Sequence, residues 1–266
     1  MTPTTDDDRP TNGGHETPAA DTDETGRPSK TDPERRARSQ YPRFLDWLIP
    51  IFLVLIGLAL VVGGTALLAG ADRALISDAV EDETIQSDVF TGEDLVDVTF
   101  ATAWWSGIGL VVTGVAVWLA AVWFYVLRRR ERRAEAEGGQ PSYLWTNAIV
   151  GAVAAIVLGF IPFSQAVGGA ISGWLQEGDS DDSLKVGGLS GLLTGLPIAL
   201  AVVFVFAGLI DGSMGIDEGN WAFLFVGLLA FVVVFTLLFV AVLGAIGGWI
   251  GGRIAGRPSR RGSAER

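Results

Sequence analysis

The amino-acid sequence predicts an all-α transmembrane bundle of about six spans, built from a two-span N-terminal hairpin and a glycine-rich four-helix module. Three observations support this fold class. First, 49% of the 266 residues are hydrophobic, and they lie in runs of about 20, not at the periods of soluble helices and strands. Second, nearly all charges fall in the tails and the short connections. Third, arginines cluster directly after one apolar run, as is typical of a cytoplasmic span end.

The chain begins with an acidic tail, residues 1–43, and its first apolar run extends from Trp47 to Gly70. The tail has too few apolar side chains to offset its ordering entropy, so it is predicted to be disordered. It is also too long and too acidic for the start of a signal peptide, so we interpret the run as a retained membrane anchor. An acidic stretch, residues 71–100, follows and is predicted to be an external loop.

The second span is predicted over residues 101–127, and it completes the N-terminal hairpin, residues 44–133. Tryptophans near both ends of this run mark the membrane interfaces, where amphipathic rings are favoured. The span ends in five arginines within residues 128–133. Because basic residues beside a span remain cytoplasmic, this cluster predicts that the N-terminal tail is inside and the acidic loop is outside.

A linker, residues 134–142, leads to the four-helix module, residues 143–253, and a polar arginine-bearing tail, residues 254–266, closes the chain. Residues 144–176 are too many for one span and slightly too few for two, since about 20 residues cross the hydrocarbon. Pro162 lacks an amide donor and restricts the residue before it, which predicts a hairpin turn near a membrane interface.

A second helix break or kink is predicted near Pro197, and the last span runs from Trp221 to Ile250. A count of five spans is the alternative. Six spans are favoured because they place the C-terminal arginines in the cytoplasm together with those of the first cluster.

Several segments of the module occur in a specific order and spacing. They are Asn147 with Gly151, residues 161–164, residues 168–176, Gly178 with Asp179, residues 185–187, Gly191, Pro197 and residues 247–252. In these features residues 145–253 resemble an uncharacterised family of small four-helix integral membrane proteins of halophilic archaea. The resemblance implies a four-helix architecture and no particular activity. The preceding two-span hairpin lies outside it and is unrelated to that family.

An internal repeat is visible within the module, because residues 167–175 and 242–250 are identical at six of nine positions. Transport folds are often duplicated, frequently as inverted repeats with the site at the repeat interface. Glycine-rich packing surfaces also converge on similar strings. Both interpretations stay open, and duplication predicts that the two segments are inverted relatives.

Glycines in the module recur at a spacing of four residues, which places them on one face of a helix. Small residues let helices approach closely where lipid removes the usual hydrophobic drive for association. A pore lined by backbone carbonyls is the alternative. The predicted helix-packing positions are Gly168, Gly169, Gly173, Gly187, Gly191, Gly195, Gly244, Gly248 and Gly252.

The sequence predicts no catalytic, cofactor-binding or metal-binding residues. It contains no cysteine and a single histidine, His15, in the polar tail. The apolar runs lack acidic and basic residues, which proton-coupled carriers and intramembrane proteases usually require. We interpret Asn147 and Gln165 as interhelical hydrogen-bond partners, with a polar path as the alternative. The acidic turn, residues 177–183, matches no calcium-loop spacing.

A formal net charge of −11 argues against nucleic acid as a partner. The expected surroundings are instead the lipid bilayer and a membrane-protein partner or second copy of the chain. The sequence therefore predicts a non-enzymatic multi-pass protein of the cell membrane with both termini in the cytoplasm. Its most favoured role is a scaffold or membrane-complex subunit. The alternative is a small-solute or ion channel or transporter with broken helices near Pro162 and Pro197.

Overall fold

The computed structural model describes residues 44–138, 142–176, 180–216 and 221–255. Within these ranges all regular structure is helical, and all of them belong to one compact unit that begins at Phe44. The predicted N-terminal tail, the C-terminal tail from residue 256 onward and the centre of the predicted linker lie outside the described residues. The seven helices are α1 (Leu45–Gly70), α2 (Arg73–Glu81), α3 (Gly92–Ala136), α4 (Leu144–Val157), α5 (Ser164–Leu175), α6 (Ser180–Ser213) and α7 (Trp221–Ala255).

Four helices, α1, α3, α6 and α7, are long and apolar enough to cross a membrane. The longest is α3, whose 45 residues extend about 68 Å at 1.5 Å per residue. Because the hydrocarbon layer is about 30 Å thick, α3 is long enough to project beyond it at both ends. It begins nine residues before the predicted span, with Glu93 and Asp94 in its first turn, where carboxylates favour the helix dipole.

Helices α4 and α5 are too short to span a membrane individually, so the predicted count of six spans is not met in the described residues. Their 14 and 12 residues extend about 21 Å and about 18 Å. The predicted turn at Pro162 is present, because the chain leaves helical geometry between Val157 and Ser164. The two helices therefore form a hairpin of roughly half the membrane thickness.

The predicted break at Pro197 is wrong, since α6 continues through this residue from Ser180 to Ser213. Proline removes one helical donor, but neighbouring helices and hydroxyl side chains make it tolerable in membrane helices. Here α6 packs against α3, α4, α5 and α7. The surrounding helices thus hold α6 in one piece.

The predicted external loop, residues 71–100, is partly helical. It contains α2, whose N-cap residue Asp72 accepts a hydrogen bond from the Ala74 amide at 2.8 Å. Such a cap satisfies one of the amide donors left free at a helix start. Arg73 of α2 forms an ion pair with Asp97 of α3, so this end of the bundle is acidic but partly neutralised.

The packing order is simple. Helix α1 packs on α3, α3 on α6, and α6 on α7. The α4–α5 hairpin lies against α6, where α4 also touches α3 and α5 also touches α7. The hairpin therefore packs alongside the three long helices α3, α6 and α7.

Candidate functional site

The tip of the α4–α5 hairpin, residues 158–163, lies at mid-height of the four long helices. Gly159 and Ser164 line the same cavity as Leu60, Val117 and Pro197, which lie near the centres of α1, α3 and α6. In a bilayer crossed by those helices, this level is about half depth. The sequence instead predicted the Pro162 turn near a membrane interface. The level of the tip along the long helices follows from the packing of the hairpin against α6 and α7.

The backbone of the hairpin tip is irregular. The Ile161 amide donates to Leu158 at 2.8 Å and the Ser164 amide donates to Ile161 at 3.2 Å, forming two successive turns. Phe163 has a left-handed conformation (φ 65°, ψ 26°), which is uncommon for a residue with a side chain. Within the described part of the chain, the amides of Phe160 and Phe163 have no hydrogen-bond partner.

The tip is also exposed. Phe160 is 81% exposed and Phe163 is 64% exposed. At half depth in a bilayer, exposed irregular backbone is normally tolerated only where it is covered by protein or lines water. In the isolated chain the tip therefore lacks the covering protein or the water that such backbone requires at this depth.

A lateral cavity of about 420 Å³ lies beneath the tip, between α1, α3, α4, α5 and α6. Its walls are mainly apolar, and three polar side chains, Ser164, Gln165 and Thr194, lie at the level of the tip. The Ser164 hydroxyl donates to Gln165 Oε1 at 3.3 Å. The full lining is Leu53, Ile56, Leu60, Val117, Ala120, Trp123, Ile149, Ala152, Val153, Ala155, Ile156, Gly159, Ser164, Gln165, Leu193, Thr194, Pro197 and Ile198.

Glycines form the junction between α5, α6 and α7. A Cβ on Gly169 or on Gly187 would overlap the carbonyl of Gly244, and a Cβ on Gly173 would overlap that of Gly248. Because these are backbone atoms, they cannot move aside as a flexible side chain would. Bare backbone therefore meets bare backbone along the centre of this three-helix junction.

The other predicted packing glycines have varied neighbours. A Cβ on Gly168 would overlap the Gly151 carbonyl of α4, and one on Gly191 would overlap the Val240 carbonyl of α7. Gly195 instead faces the side chain of Val240, and Gly252 faces that of Ser183. All nine predicted positions thus lie at helix contacts, but at Gly195 and Gly252 the nearest atoms belong to side chains.

The two repeated segments, residues 167–175 and 242–250, lie side by side in the same direction. Gly169 faces Gly244 and Gly173 faces Gly248, so equivalent positions of the repeat meet. Parallel neighbours cannot be inverted relatives, so that prediction is wrong. The shared sequence instead coincides with a shared packing contact.

Sequence reasoning missed a second set of glycines, which holds the N-terminal hairpin together. A Cβ on Gly64 would lie 2.7 Å from the Gly107 carbonyl, and one on Gly114 would lie 2.6 Å from the Gly57 carbonyl. These glycines are separated by seven residues in each helix, so a search for four-residue spacing overlooks them. A seven-residue period is the signal that would have found them.

A buried ion cluster lies at the arginine end of the bundle, meaning the end that carries Arg128 and Arg253. Arg128 donates to Asp46 at 2.7 Å and to Glu131 at 2.9 Å, and all three side chains are no more than 11% exposed. Arg132 also pairs with Asp46. Thr146 of α4 donates its hydroxyl to Glu131. The cluster therefore links α1, α3 and α4.

The sequence indicated only solvated charges at this position, because the arginines follow the end of an apolar run. An acid at the start of the first span, Asp46, is the signal that could have predicted a buried pair. Nearby, Tyr143 donates its hydroxyl to Glu135. Burial, followed by this hydrogen bond to a carboxylate, raises the pKa of Tyr143 well above its usual range.

The polar residues singled out in the sequence lie apart from one another. Asn147 donates to Gln176 at 2.8 Å and joins the open ends of α4 and α5. Gln165 lies at the opposite end of the hairpin, beside the tip. They do not form one polar path, since about three turns of α4 separate their levels. The described residues include no group of three or more acidic or histidine side chains placed to bind a metal ion.

Comparisons with known proteins address the second module alone. No curated protein and no solved structure matches the chain. Residues 145–254 match the model of one family of unknown function (DUF5518). The chain is thus similar to an uncharacterised family over helices α4 to α7, including the half-depth hairpin, the cavity wall that it forms and the three-helix glycine junction.

Proposed function

We propose that this protein is a non-enzymatic subunit of a membrane complex, in which another protein covers the tip of the α4–α5 hairpin. In this topology α1, α3, α6 and α7 each cross the cell membrane once. Four crossings place Phe44 and Ala255 at the same end of the bundle. The arginines at that end favour the cytoplasm.

The observation that carries this proposal is the exposed tip. Phe160 and Phe163 are exposed at mid-height and their amides have no partner in the described chain. Each unsatisfied polar group would cost several kcal/mol in hydrocarbon. A partner that packs over the tip offsets this cost and buries Phe160 at the same time. A complex therefore accounts for a feature that the isolated chain leaves unexplained.

The interior of the bundle supports a structural role. Its central contacts are glycine backbone against glycine backbone, and the buried ionisable residues of the described chain, Arg128 and Glu131, lie at the arginine end. The cavity at mid-height is mainly apolar. These features provide packing surfaces and no acid–base or nucleophilic constellation.

The same tip favours one alternative, a solute or ion conductor. Irregular backbone at membrane depth is also tolerated where it lines water, and Ser164, Gln165 and Thr194 lie beside it. In that case water, and not protein, satisfies the amides of Phe160 and Phe163. The two functions therefore differ in what covers the tip.

A photo-crosslinking amino acid at position 160 tests the proposal in native membranes. We expect irradiation to produce one discrete protein adduct, because the partner covers the tip. The same amino acid at Leu119, which is 65% exposed on α3, serves as the lipid-facing control. Absence of a protein adduct at position 160 would count against the complex.

Water access provides the second measurement. The chain has no cysteine, so Phe160→Cys introduces a single thiol. We expect it to resist a membrane-impermeant thiol reagent added from either side, and liposomes containing the purified protein to show no added solute flux. Rapid labelling together with flux would favour the conductor and overturn the proposed function.

A further inference from the structure

The lateral cavity has the form of a site for a single lipid chain. Its walls come from five helices, and its upper limit is the hairpin tip at mid-height. Its volume of about 420 Å³ falls in the usual range for small-ligand sites, about 300–1,000 Å³. The hydroxyls at its deep end are already engaged, since Ser164 donates to Gln165 and Thr194 donates to Ser190. The deep end therefore suits an apolar chain terminus.

The cavity extends from the tip toward the arginine end. Along α3 its lining advances by about one turn at a time, from Val117 to Ala120 and Trp123. Trp123 is 41% exposed and meets Trp145 edge-on, with ring centroids 5.3 Å apart. Such amphipathic rings are favoured at the headgroup level, so this end is the mouth.

Positive charge lies just beyond the mouth. Arg130 follows Trp123 by seven residues, two turns or about 10 Å along the same face of α3. It is exposed and, within the part of the chain that the structure describes, it forms no ion pair. Arg128 and Arg132, by contrast, are already paired with Asp46. Arg130 is therefore available for an anionic group at the membrane surface.

We propose that the cavity binds one chain of an anionic phospholipid from the leaflet at the arginine end, with its phosphate held by Arg130. The apolar chain fills the space between Trp123 and the hairpin tip. The guanidinium group matches a phosphate through two parallel hydrogen bonds, and the long arginine side chain can reach the headgroup level. Size, apolar lining and charge thus point to the same ligand class.

Native mass spectrometry of the full chain, after detergent has removed loosely attached lipid, tests this site. Dioleoyl phosphatidylglycerol and dioleoylglycerol, which has the same two chains but no phosphate, are added separately as probes. We expect one phosphatidylglycerol molecule to remain per chain, and dioleoylglycerol to bind at least tenfold more weakly. The charge-assisted hydrogen bonds between Arg130 and the phosphate contribute enough for this difference. Equal retention of the two lipids would overturn the proposal.

Two pairs of variants locate the bound lipid. Ala120→Phe fills the cavity from an exposed position on its wall, whereas Ala230→Phe adds the same side chain to an exposed position on α7. Arg130→Gln removes the proposed phosphate ligand, and Arg129→Gln is its exposed neighbour. We expect Ala120→Phe and Arg130→Gln to lose the lipid and their controls to keep it.

Arg130 is exposed, so Arg130→Gln provides a test even if the cavity-filling variant fails to fold. Full lipid retention in a folded Ala120→Phe or Arg130→Gln variant would place the lipid elsewhere and refute the site. The crosslinking test at position 160 does not involve these residues, so the proposed complex and the lipid site succeed or fail separately.

Discussion

Replacing Gly248 with leucine should lower the free energy of unfolding by about 3 kcal/mol or more, the upper part of the usual range for overpacking. A Cβ at this position would overlap the carbonyl of Ser183 and lie 2.8 Å from the Cα of Gly187. Both are backbone atoms of α6, so relief requires α6 and α7 to separate. For a chain of this size the melting temperature should fall by roughly 10 °C, measured by tryptophan fluorescence in mild detergent.

The same helix offers a matched control. A Cβ on Gly227 of α7 meets no atom within 4 Å, so Gly227→Leu introduces the same side chain into open space. Leucine has a higher helix propensity than glycine, and we therefore expect this control to be neutral or slightly stabilising. Equal melting temperatures for the two variants would show that the glycine junction does not hold the module together.

Replacing Arg128 with methionine should destabilise the protein by about 3–5 kcal/mol, the usual cost of removing one partner from a buried ion pair. The variant removes the guanidinium between Asp46 and Glu131, whose side chains are 11% and 8% exposed. Asp46 then keeps only its pair with the half-exposed Arg132, and Glu131 loses its ion pair. We expect α1 to loosen from α3 before the glycine junction separates. Thermal unfolding measures the loss of stability, and limited proteolysis of the N-terminal hairpin measures the loosening of α1 from α3.

Arg129 provides the control for this prediction, because it is the exposed neighbour of Arg128. Arg129→Met should change stability by less than about 0.5 kcal/mol. Combining Arg128→Met with Asp46→Asn and Glu131→Gln removes the uncompensated charges, so this triple variant should recover much of the loss. A single Arg128→Met variant as stable as Arg129→Met would contradict a structural role for the cluster.

The half-depth hairpin connects the two proposals for this protein. Its exposed outer surface, at Phe160 and Phe163, is the surface that we assign to a protein partner. Its inner surface forms one wall of the proposed lipid site. A lipid bound in the cavity, against the inner surface of the hairpin, would thus position the tip for a partner on its exposed outer surface.

Much of the helix content was predictable, because its causes are local in the chain. Long apolar runs without charge predict membrane-length helices, and α1, α3, α6 and α7 follow those runs. The turn between α4 and α5 was also predictable, since Pro162 cannot donate a hydrogen bond and restricts Ile161. Most of the nine predicted glycines follow a four-residue spacing, and each of the nine lies at a helix contact.

The remaining features depend on residues that are distant in sequence. Only the packing of α4 and α5 against α6, and of α5 against α7, determines that the hairpin ends at mid-height of the long helices. The burial of Arg128 likewise depends on Asp46, which lies 82 residues earlier. Hydropathy and spacing therefore determined which segments are helical and which faces are bare. Tertiary packing decided how deep the hairpin lies, because the depth and partners of a segment follow from long-range contacts that no local pattern records.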